Sequence, residues 1–179
     1  SVGQELRIPE PSEVPSVEAT PVPVDVSIAE PNCFATITQG LWCFALVTNP
    51  HDVALENISA EIKLSHEEGD VTTKSKMAFL PLGVLGSGES LPLFVFFPNV
   101  DASVQPSAQL MTAMKVPADD ERFIYPILRN TLTQVDWSGR SAHVSGEVFI
   151  PHATGDVDQV WVAATAFDEL GHVVGVRRW

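Results

Sequence analysis

The chain has 179 residues, 45% of them apolar, and 10 Lys and Arg against 23 Asp and Glu give it a net charge of −13. That length suits one large domain or two small ones, with enough apolar residues for a packed core. The acidic balance excludes docking on nucleic-acid phosphates or on anionic lipid through a basic face.

Residues 1–21 read as an extended tail. Pro9, Pro11, Pro15 and Pro21 alternate with Glu5, Glu10, Glu13 and Glu18, removing backbone donors and adding repulsion. The opening lacks a basic segment followed by an apolar stretch, the pattern of a signal peptide, which leaves open one removed upstream, and no run of 18 apolar residues offers a transmembrane helix. Membrane or cell-wall anchoring would need a segment absent from this sequence. From Val22 the pattern changes: Val22, Val24, Val26 and Ile28 alternate with other residues, the mark of a half-buried strand. In EPNCFATITQGLWCFALV, Cys33 and Cys43 flank Gly40. If the segment is a tight hairpin, the two cysteines share parity and face each other. A disulfide there would contribute slightly under ~3 kcal/mol in the chain-entropy model; the alternative is two buried thiols. LWCFALVT, ISAEIKL, VTTKSKMAFL, LPLFVFF and SAQLMTAMKV follow as strands, separated by NPHDVALEN, a turn at Gly69 and the Gly-rich GVLGSGES.

PADDER marks a boundary, and the pattern restarts with FIYPIL, TLTQVDW, AHVSGEVFI, VDQVWVAATAF and HVVGVRRW. Short strands with turn signals every 8–12 residues, and no 3.6-residue period, predict β-sandwiches. The halves also repeat. An offset of 102 superposes Gly69 on Gly171, Leu46 on Val148, Ile58 on Val160 and Val71 on Val173, a repeat of pattern more than of letters.

GLWCFALVTNPHDVALENISAEIKLSHEEGDV, followed by GSGESLPLFVFF, resembles the bacterial FxLYD type of immunoglobulin-like domain. The apolar strand ends at Asn49, ENISAEIKL stands as the second strand, and Gly88-Glu89-Ser90 precedes the last. In the second half Phe167-Asp168 and Gly171 stand where the family has Tyr-Asp and Gly; in the first half Ser65-His66 depart from it. The resemblance covers roughly residues 40–98 and 141–179. It implies a cell-envelope or secreted protein, often anchored, whose domains serve as binding or spacer modules.

Chemistry is sparse. The five histidines lack metal-ligand spacing, there is no nucleophile elbow, and no catalytic residue, cofactor or metal site is predicted. Carboxylates at Glu67-Glu68-Asp70, Asp119-Asp120-Glu121 and Asp156-Asp158 read as solvated turns or, at the junction, as calcium ligands. Trp42, Trp137, Trp161 and Trp179 fall on or beside strands, where exposed rings could stack on sugars.

The expectation is an all-β protein of two tandem immunoglobulin-like sandwiches: tail 1–21, first sandwich 22–118, second sandwich 119–179. The second has no counterpart to the last two strands of the first. That gap predicts an interaction edge at Val173, Val174, Val176 and Trp179, open to strand addition. It would be covered by a continuation of the chain, a partner protein, or another copy donating Val22, Val24, Val26 and Ile28. The expected role is a non-enzymatic structural or interaction protein, extracellular or in the cell envelope, a subunit of a larger assembly or filament. The alternative is a carbohydrate-binding module.

Overall fold

The computed structural model describes residues 23–66, 72–117, 120, 122–124, 126–150, 157 and 159–179. The tail 1–21, Val22 and the turn around Gly69 lie outside the described residues. The structure is all-β, and no described helix is long and apolar enough to cross a membrane.

Alternation organises the first half. In β3 (Gly40–Thr48), Leu41, Cys43, Ala45 and Val47 are buried; in β7 (Ser90–Pro98), Leu93, Val95 and Phe97 are. These two strands pair along their whole length, Gly40 with Pro98 through Thr48 with Ser90. Facing them is β4 (Leu55–Ser65), which presents Leu55, Ile58, Ala60, Ile62 and Leu64. It pairs with β5 (Thr72–Phe79) and β6 (Val84–Leu85), and also with β8 (Gln105–Lys115). Side chains from both layers form one cluster, the interior of a sandwich. A bulge tunes this pattern. Asn57 has φ 52° beside a register shift between Glu56 and Ser59. The extra residue lets Leu55 and Ile58 both face inward despite their odd spacing.

The strand expected over residues 22–28 is shorter than its alternation suggested, because the chain changes sheets there. The Val24 N–H donates to the Ala113 carbonyl of β8. Only Ser27–Ile28 (β1) then joins β3. Val24, Val26 and Ile28 pack on the core of their own sandwich, so a donor role would require their release from it. β2 (Asn32–Thr36) pairs with β3 so that Cys33 stands opposite Cys43, and the two form a disulfide with Cα atoms 4.1 Å apart. The start of β3 needs glycine because β7 lies so close: a Cβ on Gly40 would lie 2.5 Å from the Phe96 ring and 2.8 Å from the Phe97 carbonyl oxygen.

Asn49 ends β3 and is fully buried. Its Nδ2 donates to the carbonyls of Val53, Leu85 and Gly86, and its Oδ1 accepts from His51 N–H. Its backbone exchanges bonds with Glu89 and Gly88. One side chain thus ties the β3–β4 loop to the turn before β7.

Residues 126–179 contain two hairpins that share no ladder with each other or with the sandwich among the described residues. β9 (Ile127–Val135) pairs with β10 (Ala142–Phe149). FIYPIL and TLTQVDW therefore give a single strand, carried through a bulge at Asn130, φ 52°. β11 (Ala163–Phe167) pairs with β12 (Val173–Arg178), a shorter strand than VDQVWVAATAF suggested. The β11–β12 hairpin copies a detail of β4–β5. The register breaks between Leu64 and Ser65 in one and between Ala166 and Phe167 in the other, an offset of 166 − 64 = 102. On the partner strands Thr72 corresponds to Val173, so the offset there is 173 − 72 = 101, and the second turn is one residue shorter.

Candidate interaction surface

The alternation that buries Leu41, Cys43, Ala45 and Val47 turns Trp42 and Phe44 outward. Trp42 stands opposite Phe34 of β2 and Phe96 of β7, and Phe44 opposite Phe94. Five rings therefore share the outer face of three strands. Trp42 is their hub, with centroids 5.2 Å from Phe96, 6.2 Å from Phe94 and 6.3 Å from Phe44. Phe44 is buried at 6% exposure, whereas Trp42 at 40% and Phe34 at 36% are open. Trp42 and Phe44 in LWCF, and Phe94 and Phe96 in LFVFF, occupy the phase opposite to the core, whereas Phe97 belongs to the core itself.

β12 lies against β3 and β7. Arg178 Nη1 donates to the Pro81 carbonyl at 3.1 Å and its guanidinium stacks over Trp161 at 4.3 Å, a favourable cation–π geometry. Of the residues predicted to form an edge, Val173 is buried at 4%, Val174 is exposed and Val176 half-buried. Trp179 is exposed but exchanges backbone bonds with Val162. β12 is thus paired by β11 on one side, with no strand on the other among the described residues. Its turn is held by Asp168, whose carboxylate accepts from Leu170 N–H, His172 N–H and the His172 ring. Burial works to raise the Asp168 pKa, but these hydrogen bonds outweigh it and hold the carboxyl below its ordinary value.

The β9–β10 hairpin has a second open surface. The ladder puts Val135 with Ala142, Thr133 with Val144, and Leu128 with Val148 on one face. Leu128 reaches that face only because the Asn130 bulge shifts its parity. Leu128, Val135, Val144 and Val148 are 40–65% exposed. The other face carries Gln134, His143, Arg129 and Glu147 together with Leu132, Ile127 and Phe149, which are also exposed, and Arg129 is stacked 3.8 Å from Phe149. A hairpin with bare apolar side chains on both faces, four of them grouped on one, offers surface of the kind that marks contact sites.

Among the described residues the titratable groups are held by neighbours rather than gathered at one point. A cleft of about 450 Å³ opens between Val53, Gly86, Ser87, Val116, Pro117 and Phe123. Both carboxylates that line it are engaged. Glu89 accepts from Gly86 N–H, and Asp120 accepts from the Arg122 side chain and amide, which lower its pKa. Arg122 also bonds Glu56 at 3.0 Å, and these two partners raise its own pKa. Asp120 is therefore spent on Arg122, while Asp119, Glu121, Glu67, Glu68, Asp70, Asp156 and Asp158 lie outside the described residues. His51 Nε2 lies 2.7 Å from the Asp25 carbonyl oxygen. Among the described residues no three His, Cys, Asp or Glu group to hold a metal ion.

No family model, curated protein or solved structure matches the chain.

Proposed function

We propose that this protein is a non-enzymatic structural or interaction protein of the cell envelope or extracellular space, working through open β-surfaces as a subunit of a larger assembly. The observation that carries this reading is the bare apolar face of β9–β10, with Leu128, Val135, Val144 and Val148 exposed together. Contiguous apolar surface of this kind marks contact sites. The Cys33–Cys43 disulfide supports an oxidising compartment, and the FxLYD-like sequence pattern fits a binding or spacer module. The test is native mass spectrometry of the chain recovered from its own cells. The reading predicts a complex that dissociates in a Val144→Asp/Val148→Asp double variant. Recovery of the wild-type chain only as a free monomer would overturn it.

A second reading, a carbohydrate-binding module, is favoured by Trp42, 40% exposed among four Phe rings. Flat sugar faces stack on such platforms. It predicts quenching of Trp fluorescence by oligosaccharides, lost in Trp42→Ala; no quenching by any sugar tried would count against it.

A further inference from the structure

Among the strand edges that the sandwich leaves without a full partner, those of β7 and β8 are treated in opposite ways. β7 is paired on its second side, among the described residues, only where Phe94 meets Phe79. Beyond that point two lysines of β5 cap the bare carbonyls: Lys76 Nζ donates to Phe96 O, and Lys74 Nζ donates to Pro98 O and Asn99 O. Lys74 and Lys76 stand opposite Leu64 and Ile62, so they share the phase of core residues. Inward-pointing lysine is a known device for blunting an edge.

The outer edge of β8 has no such guard. β8 pairs with β4 on one side. On the other, among the described residues, only Val24 approaches, at Ala113. From Pro106 to Met111 no strand of the described residues pairs on that side. The sequence QPSAQLMTAMK holds one ionisable residue, Lys115, at its far end, in a chain whose net charge is −13. Ala108 and Leu110 face the core but are only partly buried, and Met111 and Met114 are about two-fifths exposed, at 42% and 41%. The core is therefore thinly covered along this edge.

We propose that the Pro106–Met111 edge of β8 is a strand-addition site occupied by the same edge of a second copy, antiparallel, about a two-fold axis at Ala108. The proposal deepens the reading of the chain as an interaction protein by naming one of its partners. Charge selects this occupant. Two copies repel over most of their acidic surfaces, and this edge lets them approach without opposing like charges. Side-chain phase agrees. A two-fold axis at Ala108 sets Pro106 against Leu110 of the other copy and Ser107 against Gln109. The alternating apolar residues of one inner face then continue into the next. Backbone phase agrees as well. Pro106 has no N–H to give to β4, so it takes a position whose polar groups point away from that ladder, and Ala108 and Leu110 share its phase. A contact of this length is below the standard interface size, so the dimer is weak and concentration-dependent.

The experiment is sedimentation equilibrium of the full chain from micromolar to sub-millimolar concentration. The wild type is expected to dimerise reversibly. Ala108→Pro removes an outward amide and is expected to weaken association by about tenfold or more, with far-UV circular dichroism unchanged. Should that variant unfold, Ser107→Lys/Gln109→Lys places lysines opposite each other across the axis and is expected to weaken the dimer in a salt-reversible way. A wild type that stays monomeric throughout overturns the proposal, as does a dimer indifferent to the lysine pair. The broader reading has its own arm. Dimerisation that survives Val144→Asp/Val148→Asp separates the two surfaces, and a monomer that still enters a native complex leaves the broader reading standing while this one falls.

Discussion

Residues 24–115 and residues 126–179 use the same alternation and reach different ends. In the first segment the apolar phase of β3, β4 and β7 meets itself across a shared interior, and Leu41, Val47, Ile62, Leu64, Leu93 and Phe97 are almost fully buried. In the second, Val173 is the sole buried residue among those described, and every residue of β9 and β10 is exposed. Period-2 alternation specifies strands and even hairpins, because turn chemistry and cross-strand pairing are local. Burial requires an opposing sheet, and that is a property of the assembly of strands. A hairpin alone is marginally stable at best.

The comparison can be broken most forcefully from the core side. Phe97→Ala should destabilise the sandwich by about 3–5 kcal/mol, measured by denaturant unfolding. Leu132→Ala in β9 should change the same transition by no more than about 0.5 kcal/mol. Equal effects would mean that the hairpin is part of the cooperative unit. Next in size, Cys33→Ser/Cys43→Ser should cost slightly under ~3 kcal/mol, again only in the transition of the sandwich. Asn49→Ala leaves buried carbonyls without donors and should cost about 1–3 kcal/mol.

The smallest effect concerns the β11–β12 turn. Asp168 has a folded pKa below its unfolded value, so its contribution to the β11–β12 turn is complete above the unfolded pKa and is lost as pH falls through the folded one. Acidification below the ordinary carboxylate range should lower the protection of the Leu170 and His172 amides relative to their intrinsic exchange rates, and Asp168→Asn should show the lower protection already at neutral pH. An unchanged pH profile in the variant would remove Asp168 from this role.

Much of this was legible in the residues. The strands of the sandwich, the pairing of Cys33 with Cys43, the turn at Gly171 and the loop after β3 follow from alternation and turn chemistry, while the anchoring role of the Asn49 side chain emerges only from the structure. Three other features were not legible either. The left-handed residues Asn57 and Asn130 sit in bulges that shift parity, and no local signal separates them from other asparagines on strands. The Val24–Ile28 segment divides its backbone bonds between two sheets, which depends on where β8 and β3 end. The aromatic face around Trp42 needed the β3–β7 register before Phe34, Phe94 and Phe96 could be placed beside it. The contrast between the guarded β7 edge and the bare β8 edge likewise exists only once Lys74 and Lys76 are seen reaching across the seam.

Hydrogen exchange of the native full chain, read by mass spectrometry peptide by peptide, tests the central contrast most directly. The account predicts that amides of β3, β4 and β7 exchange only through global unfolding, while those of β9 and β10 exchange through local opening, orders of magnitude faster. Protection in β9–β10 equal to that in β4 for the isolated chain would contradict it, because the Leu128, Val135, Val144 and Val148 face would then already be covered.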